Sequence, residues 1–360
     1  MIVIADDITG AAEIAGIAFE AGHPVRLVCA PATATAANGI TVVATDTRSM
    51  TEADAIDQTR HIASRLTGHH IFKKTDSALR GHVVAELTTL LQTTGYRRAV
   101  YLPANPSKGR TISQGVYYIN GTPIHQTDFS FDPEFPARTS SLRERFPNAE
   151  GHGILMPDAT TPDDIRHVVS QYDDGHTLFA GAADLFAAIT ARQPVPHDRP
   201  TSGLPDKPSV PMEHASTLIL CGSTQSKPLH LGIPTAPMPR QVYDGSDDLS
   251  AWDTTAYDTG HSLILTIPHT HRTGKAVAVH LRTVMARMAC RLVARQRPDH
   301  LVIEGGATAW ATLQALSWNE FLIEHQLAPG VVQMRAACGT LVTLKPGSYP
   351  WGNLFSSHCC

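Results

Sequence analysis

Little in the sequence marks a secreted, membrane-spanning or nucleic-acid-binding protein. Its six cysteines form no CxxC pair and no regular framework, which argues against a disulfide scaffold and favours free thiols in a reducing compartment. No apolar run reaches the roughly 18 residues of a membrane span, and the opening MIVIADDITG lacks the basic start of a signal peptide. Lys and Arg number 29 against 33 Asp and Glu, without a basic block. We therefore expect a soluble cytoplasmic protein with no membrane or nucleic-acid partner.

Several common site motifs are also missing from the sequence. It contains no GxxxxGK[ST], no GxGxxG at the start and no GxSxG, so an ordinary P-loop, a dinucleotide fingerprint and a hydrolase nucleophile elbow are not expected. The 19 histidines form no HExxH. We interpret them as solvated loop residues rather than metal ligands.

What the chain does contain is a repeated alternation of strand-like and helix-like segments. Its 360 residues, 42% of them hydrophobic, favour two domains at about 150 residues each. Short apolar runs separated by helix-length segments are typical of parallel sheets with right-handed crossovers. Six prolines lie between residues 193 and 214, which indicates a linker. We therefore predict two α/β domains with mainly parallel sheets, over residues 1–200 and 215–360, joined by a linker over 201–214.

The predicted elements can be placed along the chain. In the first domain, strands are predicted over Met1–Ala5, Pro24–Cys29, Ile40–Ala44, His70–Phe72, Arg98–Leu102, Gly153–Met156 and Thr177–Ala180, and helices over Ala11–Glu20, Thr51–Leu66, Val83–Thr94 and Pro162–Gln171. The second domain has predicted strands over Ser216–Cys221, Ser262–Ile267 and His300–Glu304 and helices over Lys275–Gln296 and Thr308–Leu316. The polar segment from Gly115 to Asp132 departs from this alternation.

Polar clusters follow four of the predicted strands in the first domain. In open parallel sheets, ligands bind beyond the carboxyl ends of the strands. Each cluster could instead be a helix N-cap, but together they offer carboxylates, hydroxyls and cations suited to a small, polyhydroxylated, anionic ligand. The clusters are Asp6, Asp7 and Thr9; Thr45 to Ser49; Lys73 to Ser77 with Arg80; and Asn105, Ser107, Lys108, Gly109 and Arg110.

The second domain has turns of small residues after its predicted strands. The turn from Cys221 to Ser226 and the turn from Glu304 to Thr308 both stand where a helix would begin, and Gly347 lies in a third turn. Small residues let backbone N–H groups approach an anion, and a helix N-terminus adds positive potential. A tight strand-to-helix turn without a ligand explains the same residues, so both interpretations stay open.

Long segments resemble the four-carbon acid sugar kinase family. The opening IADDITGA, KKTDSALRG (Lys73–Gly81) and PANPSKGRTISQGVYYINGTPI (Pro103–Ile124) are similar to the family's N-terminal motifs. The segments HQTDFSFDPEFP and MPDATTPDDI extend the match, and EGGATA and APGVVQ with LVTLKPGS resemble its nucleotide-binding region. The resemblance covers most of the chain in the expected order.

The resemblance implies a first domain that binds a sugar acid such as threonate, erythronate or 3-oxo-tetronate, and a second that binds ATP with Mg²⁺. Phosphoryl transfer to the terminal hydroxyl would take place across the interdomain cleft. The residues that it places on ATP are Ser223 or Ser226, Gly305, Gly306, Ala307, Thr308 and Gly347. It does not identify the metal ligands, and a homodimer is a further expectation.

Phosphoryl transfer needs positioning, charge neutralisation and a base that orients the attacking hydroxyl. We expect Asp7 or Asp76 to be that base, with Asp6 as a third candidate. Cations of the same loops should hold the substrate carboxylate or the moving phosphoryl group. The expected substrate-binding residues are Asp6, Thr9, Lys74, Ser77, Arg80, Asn105, Lys108 and Arg110.

Three alternative functions use the same residues. A kinase for another small hydroxy-acid or polyol would need the same groups. A non-catalytic sugar-acid sensor would use the first domain without a working ATP site. A metal-dependent hydrolase built on Asp6 and Asp7 would release phosphate without an acceptor.

Overall fold

The computed structural model describes residues 1–29, 39–132, 134–194, 216–223, 229, 231–260, 262–268 and 274–347. The chain divides into two compact units, Met1–Asp198 and Arg199–Cys360. The predicted linker, residues 201–214, lies outside the described residues. Among the described helices, none is both long and apolar enough to cross a membrane.

The first unit contains a seven-stranded sheet in which all pairings are parallel, in the order β2-β3-β1-β4-β10-β5-β9. All residues of its strands β1, β3, β4 and β10 are buried, as is typical of a parallel sheet covered on both faces. The strands of this unit are β1 Ile2–Ala5, β2 Val25–Val28, β3 Ile40–Ala44, β4 Ile71–Lys74, β5 Arg98–Leu102, β6 Arg110–Ser113, β7 Val116–Ile119, β8 Thr122–Pro123, β9 Ile154–Leu155 and β10 Thr177–Gly181.

The helices of the first unit begin at residues suited to capping. Asp7, Thr51 and Thr161 each accept a hydrogen bond from a backbone N–H of the first turn, and Thr161 forms a complete capping box with Asp164. Gly95 ends the third helix in the left-handed conformation. The helices are α1 Ile8–Glu20, α2 Glu52–Ala63, α3 Val83–Thr94, α4 Leu142–Arg145, α5 Pro162–Tyr172 and α6 Ala183–Thr190.

The polar segment that departs from the α/β alternation forms a small antiparallel sheet, β6-β7-β8. Its two hairpins turn at Gln114-Gly115 and Asn120-Gly121, and all four residues have positive φ. Two central residues with positive φ are typical of the type I′ turn, whose twist matches that of the flanking strands. The Asn-Gly pair therefore carried a hairpin signal that the sequence interpretation did not use.

The second unit also has a mainly parallel sheet, in the order β12-β13-β11-β14-β17-β16-β15. The pairings from β12 to β17 are parallel, and the last two are antiparallel. The α/β prediction with mainly parallel sheets is confirmed for both units. The elements are β11 Thr217–Cys221, β12 Thr235–Pro237, α7 Arg240–Tyr243, α8 Thr255–Gly260, β13 Leu263–Thr266, α9 Lys275–Arg295, β14 His300–Glu304, α10 Gly306–Ala315, β15 Glu320–Ala328, β16 Val331–Ala336 and β17 Leu341–Lys345.

Candidate functional site

Three buried carboxylates surround one arginine at the carboxyl ends of β1, β3 and β4. Arg48 donates from Nε and Nη2 to the two oxygens of Asp6, at 3.0 and 2.9 Å. Its Nη1 lies 3.1 Å from Asp7 and 3.7 Å from Asp76. The Arg48 side chain is only 17% exposed, so water screens these attractions weakly. The predicted acidic residues therefore share one cation that the sequence interpretation did not choose as a site residue.

Asp7 caps helix α1 and also faces the site. Its oxygens accept from the Gly10 backbone N–H at 2.9 Å and from the Thr9 hydroxyl at 2.5 Å. Burial alone would raise the pKa of this carboxyl, but Arg48 and Lys74 outweigh it and hold the pKa below its ordinary value. Asp7 is therefore an ionised carboxylate at neutral pH, and its side chain is 17% exposed.

Asp76 is held more rigidly than Asp7. The guanidinium of Arg80 donates to it from Nε at 2.7 Å and from Nη2 at 3.1 Å, and the Ala78 N–H adds a contact at 3.1 Å. Although burial opposes ionisation, Arg48 and Arg80 lower the pKa of Asp76 far below its ordinary range. The remaining nitrogen of Arg80, Nη1, lies 3.4 Å from Asp132. Asp76 therefore stays ionised and keeps Arg80 in place.

A second group of charges is centred on Glu13 of helix α1. Lys108 forms a close ion pair with Glu13, and Lys74 lies 3.6 Å from its other oxygen. Burial raises the pKa of Glu13, but the two lysines outweigh that effect and lower it. Both predicted lysines therefore share one carboxylate partner, which the sequence interpretation missed.

Arg110 differs from the other cations of this edge. Its Nη1 donates to the Ser77 hydroxyl, and its guanidinium lies 5.8 Å from the centre of the Phe129 ring. The backbone of Asn105 pairs with that of Arg110 in both directions and fixes this loop. Across the described ranges, no carboxylate forms an ion pair with Arg110. Arg110 can therefore bind a ligand carboxylate without breaking an existing ion pair.

Nearly all the acceptor-site residues named from the sequence lie together at this edge. They are Asp6, Asp7, Thr9, Lys74, Asp76, Ser77, Arg80, Lys108 and Arg110. Asn105 is buried, and its side-chain oxygen accepts from the Asp184 N–H at 3.1 Å, so it also supports the start of α6. Arg48 stood in a polar cluster after a strand, which was the signal that could have selected it. Phe129 and Asp132 lie in the segment HQTDFSFDPEFP that extends the family resemblance, whereas nothing local in the sequence distinguishes Glu13.

In the second unit, the glycine-containing turns after β11, β14 and β17 meet. A Cβ on Gly222 would collide with the Thr308 side chain, and a Cβ on Gly347 would collide with that of Ser223. Gly305 has φ of 98° and stands at the N-cap of α10, where a side chain would be strained. The predicted residues Ser223, Gly305, Gly306, Ala307, Thr308 and Gly347 are thus neighbours, whereas Ser226 lies outside the described residues.

These turns form a compact backbone surface at the start of helix α10. Its first turn, Gly306 to Thr308, has no acidic residue, so its N–H groups and the helix dipole favour an anion. The described part of the chain contains no group of three or more His, Cys, Asp or Glu that could hold a metal ion. The second site is thus built from backbone and small side chains.

Comparison with known proteins agrees with this division. A family model for a sugar-binding N-terminal domain matches residues 1–148, and one for a nucleotide-binding C-terminal domain matches residues 248–349. A D-threonate kinase from Cupriavidus necator is 25% identical over 92% of this chain and 89% of its own, and a 3-oxo-tetronate kinase from Methylobacterium radiotolerans is 24% identical over 98% and 96%. This chain belongs to the four-carbon acid sugar kinase family.

Another relative matches a shorter segment of the chain at higher identity. A D-threonate kinase from Salmonella typhimurium is 30% identical over 223 residues, which span 52% of this chain and 53% of that protein. Solved structures from Haemophilus influenzae and Salmonella typhimurium, each 20% identical, superimpose with TM-scores of 0.69 and 0.74 over 99% and 97% of this chain and 98% and 96% of theirs. They show that this four-carbon acid sugar kinase family member has the same fold.

Proposed function

We propose that this protein is an ATP-dependent kinase that phosphorylates the terminal hydroxyl of a four-carbon sugar acid. The observation that carries the proposal is the presence, at one sheet edge, of ionised Asp7 and of Arg110, which binds the Ser77 hydroxyl and has no carboxylate partner among the described residues. A hydroxy-acid needs such an arrangement, since one end is an anion and the other must lose a proton. The relatives named threonate, erythronate and 3-oxo-tetronate kinase support this substrate class.

Arg110 is the proposed anchor for the substrate carboxylate. A guanidinium offers a planar fork that matches both carboxylate oxygens. Lys74, Lys108 and Arg80 already have carboxylate partners, so binding the substrate through them would weaken an existing ion pair. The Phe129 ring lies beside both Arg110 and Arg80 and restricts how the fork is turned.

Asp7 is the proposed base that receives the proton of the attacking hydroxyl. The Thr9 hydroxyl that now donates to Asp7 can rotate away, so a substrate hydroxyl can take its place. Asp76, by contrast, is gripped by the fixed fork of Arg80. Asp7 is also the more exposed of the two, at 17% against 11%. Asp76 and Asp6 then act by holding Arg80 and Arg48.

The second unit fits a nucleotide by its chemistry. A Cβ on Gly222 or Gly347 would collide with Thr308 or Ser223, so these glycines let the turns pack closely beside the first-turn N–H groups of α10, which can bind phosphate oxygens. Bound ATP would supply the phosphoryl group, and Mg²⁺ would neutralise its charge. Magnesium is held mainly by phosphate oxygens and water with one or two carboxylates, so it needs no dedicated cluster of protein ligands. We assign it none.

The proposal is tested by measuring ADP release in a screen of four-carbon sugar acids with Mg·ATP. The expected result is turnover that requires one of D-threonate, D-erythronate or 3-oxo-tetronate, and no comparable turnover with the corresponding polyols that lack a carboxylate. Turnover on polyols alone would favour the broader hydroxyl kinase. Binding of a sugar acid without any affinity for Mg·ATP would instead make the protein a sensor.

A further inference from the structure

A buried ion pair joins the two strands that carry the glycine turns of the second unit. Glu304 ends β14, Lys345 ends β17, and the two residues are direct partners in the parallel pairing of these strands. Their side chains are 1% and 2% exposed, and Lys345 Nζ is in close contact with Glu304 Oε1. Both residues lie in segments that resemble the nucleotide-binding region, EGGATA and LVTLKPGS, but neither side chain has a role in the proposed function.

Stability alone does not explain a charged pair at this position. Removing two charges from water costs several kcal/mol per ion, and replacing a buried ion pair by apolar residues is often neutral or stabilising. An apolar pair would fit the surrounding sheet, whose neighbouring residues Ile303 and Leu344 are fully or almost fully buried. The groups that contact Glu304 and Lys345 suggest another role for this charged pair.

Two main-chain hydrogen bonds and one side-chain contact join this strand pair to the glycine turns. The Gly305 N–H donates to the Lys345 carbonyl at 2.9 Å, and the Gly222 N–H donates to the Glu304 carbonyl at 3.1 Å. The Lys345 ammonium also lies 3.4 Å from the Gly347 carbonyl. Gly347 in turn sits against Ser223, so closely that a Cβ would collide with it. Lys345 thus connects the third turn to the first two.

We propose that Lys345 is a positioning residue of the nucleotide site. Its ammonium, oriented by Glu304, contacts the Gly347 carbonyl and holds that turn against Ser223, so that the three turns stay packed beside the first-turn N–H groups of α10, Gly306 to Thr308, which would bind the phosphates of a nucleoside triphosphate. Lys345 does this without touching the nucleotide. The inference rests on the proposed function, because it assumes that this surface binds ATP.

The test measures nucleotide affinity by calorimetry with Mg·ATP in the absence of any sugar acid, together with the free energy of unfolding. K345M should weaken binding by about tenfold or more, and E304Q by less, because the ammonium keeps its bond to Gly347. The exchanged pair E304K/K345E is the decisive variant. It restores opposite charges across the same strand pair but moves the ammonium from β17 to β14, so stability should recover while affinity does not.

The buried pair Lys73–Glu86 of the first unit provides a matched control. Its Nζ–Oε1 distance is 3.0 Å, and the side chains are 0% and 2% exposed. K73M should cost stability as K345M does yet leave ATP affinity unchanged. If K345M does not fold, K345R, which keeps the charge but cannot place a single ammonium at the Gly347 carbonyl, takes its place and should also bind more weakly.

The results distinguish a failure of this inference from a failure of the proposed function. Folded K345M or K345R with the affinity of the native protein would overturn the inference, and so would full recovery of affinity in the exchanged pair. No ATP binding by the native protein would overturn the proposed function itself.

Discussion

The two units prepare their sites in opposite ways. In the first, charged side chains from α1 and from the loops after β1, β3, β4 and β5 neutralise one another, and Arg110 is left without a carboxylate partner in the described chain. In the second, glycines let three turns pack closely beside the first turn of α10, and one buried ion pair lies behind them. A small sugar acid must be recognised by its one carboxylate and its hydroxyls, whereas any polyphosphate can be held by N–H groups. Selectivity for the sugar acid should therefore depend on the side chains of the first unit, whereas phosphate binding should depend on the backbone conformation of the second.

The largest effect is expected from D7N. Asparagine is as good an N-cap as aspartate, so α1 should keep its start, but the amide cannot accept the hydroxyl proton. We expect kcat to fall by about 10²- to 10⁴-fold, with ATP affinity unchanged. Steady-state kinetics and calorimetry measure the two quantities, and D163N, on the exposed face of α5, is the control. If D7N kept a near-normal kcat while D76N lost activity, Asp76 would be the base.

The next largest effect is expected from R110M, and it should be confined to binding of the sugar acid. A hydrogen bond to a charged group contributes about 1.5–3 kcal/mol, so KM for the sugar acid should rise by about 10- to 100-fold, while ATP affinity stays the same. R98M removes an exposed arginine that pairs with Asp174 and should change neither value. An unchanged KM in R110M would show that another cation holds the carboxylate.

G222A tests the second unit, in which binding is expected to depend on the backbone. The added methyl would meet the Thr308 side chain, with its Cβ at 2.7 Å, so one of the two turns must shift. We expect about tenfold weaker ATP binding, a stability loss of about 1–3 kcal/mol from overpacking, and an unchanged affinity for the sugar acid. In G151A, the added Cβ would meet no atom within 4 Å, so both affinities should be retained. Weaker sugar-acid binding in G222A would contradict the division of tasks.

The smallest effect is a difference in acid sensitivity. Burial lowers the pKa of His300 in the second unit from 6.5 to about 4. Between these values the unfolded chain binds a proton that the folded chain does not, so stability falls as pH drops below about 6.5. The lowered pKa of Asp76 in the first unit acts only at lower pH, as pH falls through about 4.

Urea unfolding at pH 7.5 and pH 5 measures this effect. The native protein should lose about 1–2 kcal/mol between the two pH values through His300, and H300N should lose less. An equal loss in both proteins would show that His300 does not cause the acid sensitivity.

Sequence reasoning predicted the parts of this molecule that depend on local pattern. The strands Ile40–Ala44, Arg98–Leu102 and His300–Glu304 and the helix Val83–Thr94 have the predicted bounds. Since parallel strands end at the same edge, the polar clusters after β1, β3, β4 and β5 could be expected to meet.

What the sequence did not reveal depends on contacts between distant residues. Arg48 reaches Asp6 and Asp7 from more than 40 positions away, and Glu304 meets Lys345 only because β14 and β17 pair. The antiparallel strands β15 to β17 were missed because the chain from Trp318 to Lys345 shows neither a strong alternation nor an intervening helix. That Arg110 has no carboxylate partner among the described residues could likewise be seen only in the folded chain.

The central claim is that a phosphoryl group passes from ATP to the terminal hydroxyl of a four-carbon sugar acid. Phosphorus NMR of a reaction containing the protein, Mg·ATP and the sugar acid that supports the fastest ADP release tests it most directly. We expect one new phosphate ester signal, coupled to the terminal methylene protons, that grows as ADP forms and is absent with D7N. Inorganic phosphate as the product, with or without the sugar acid, would contradict it.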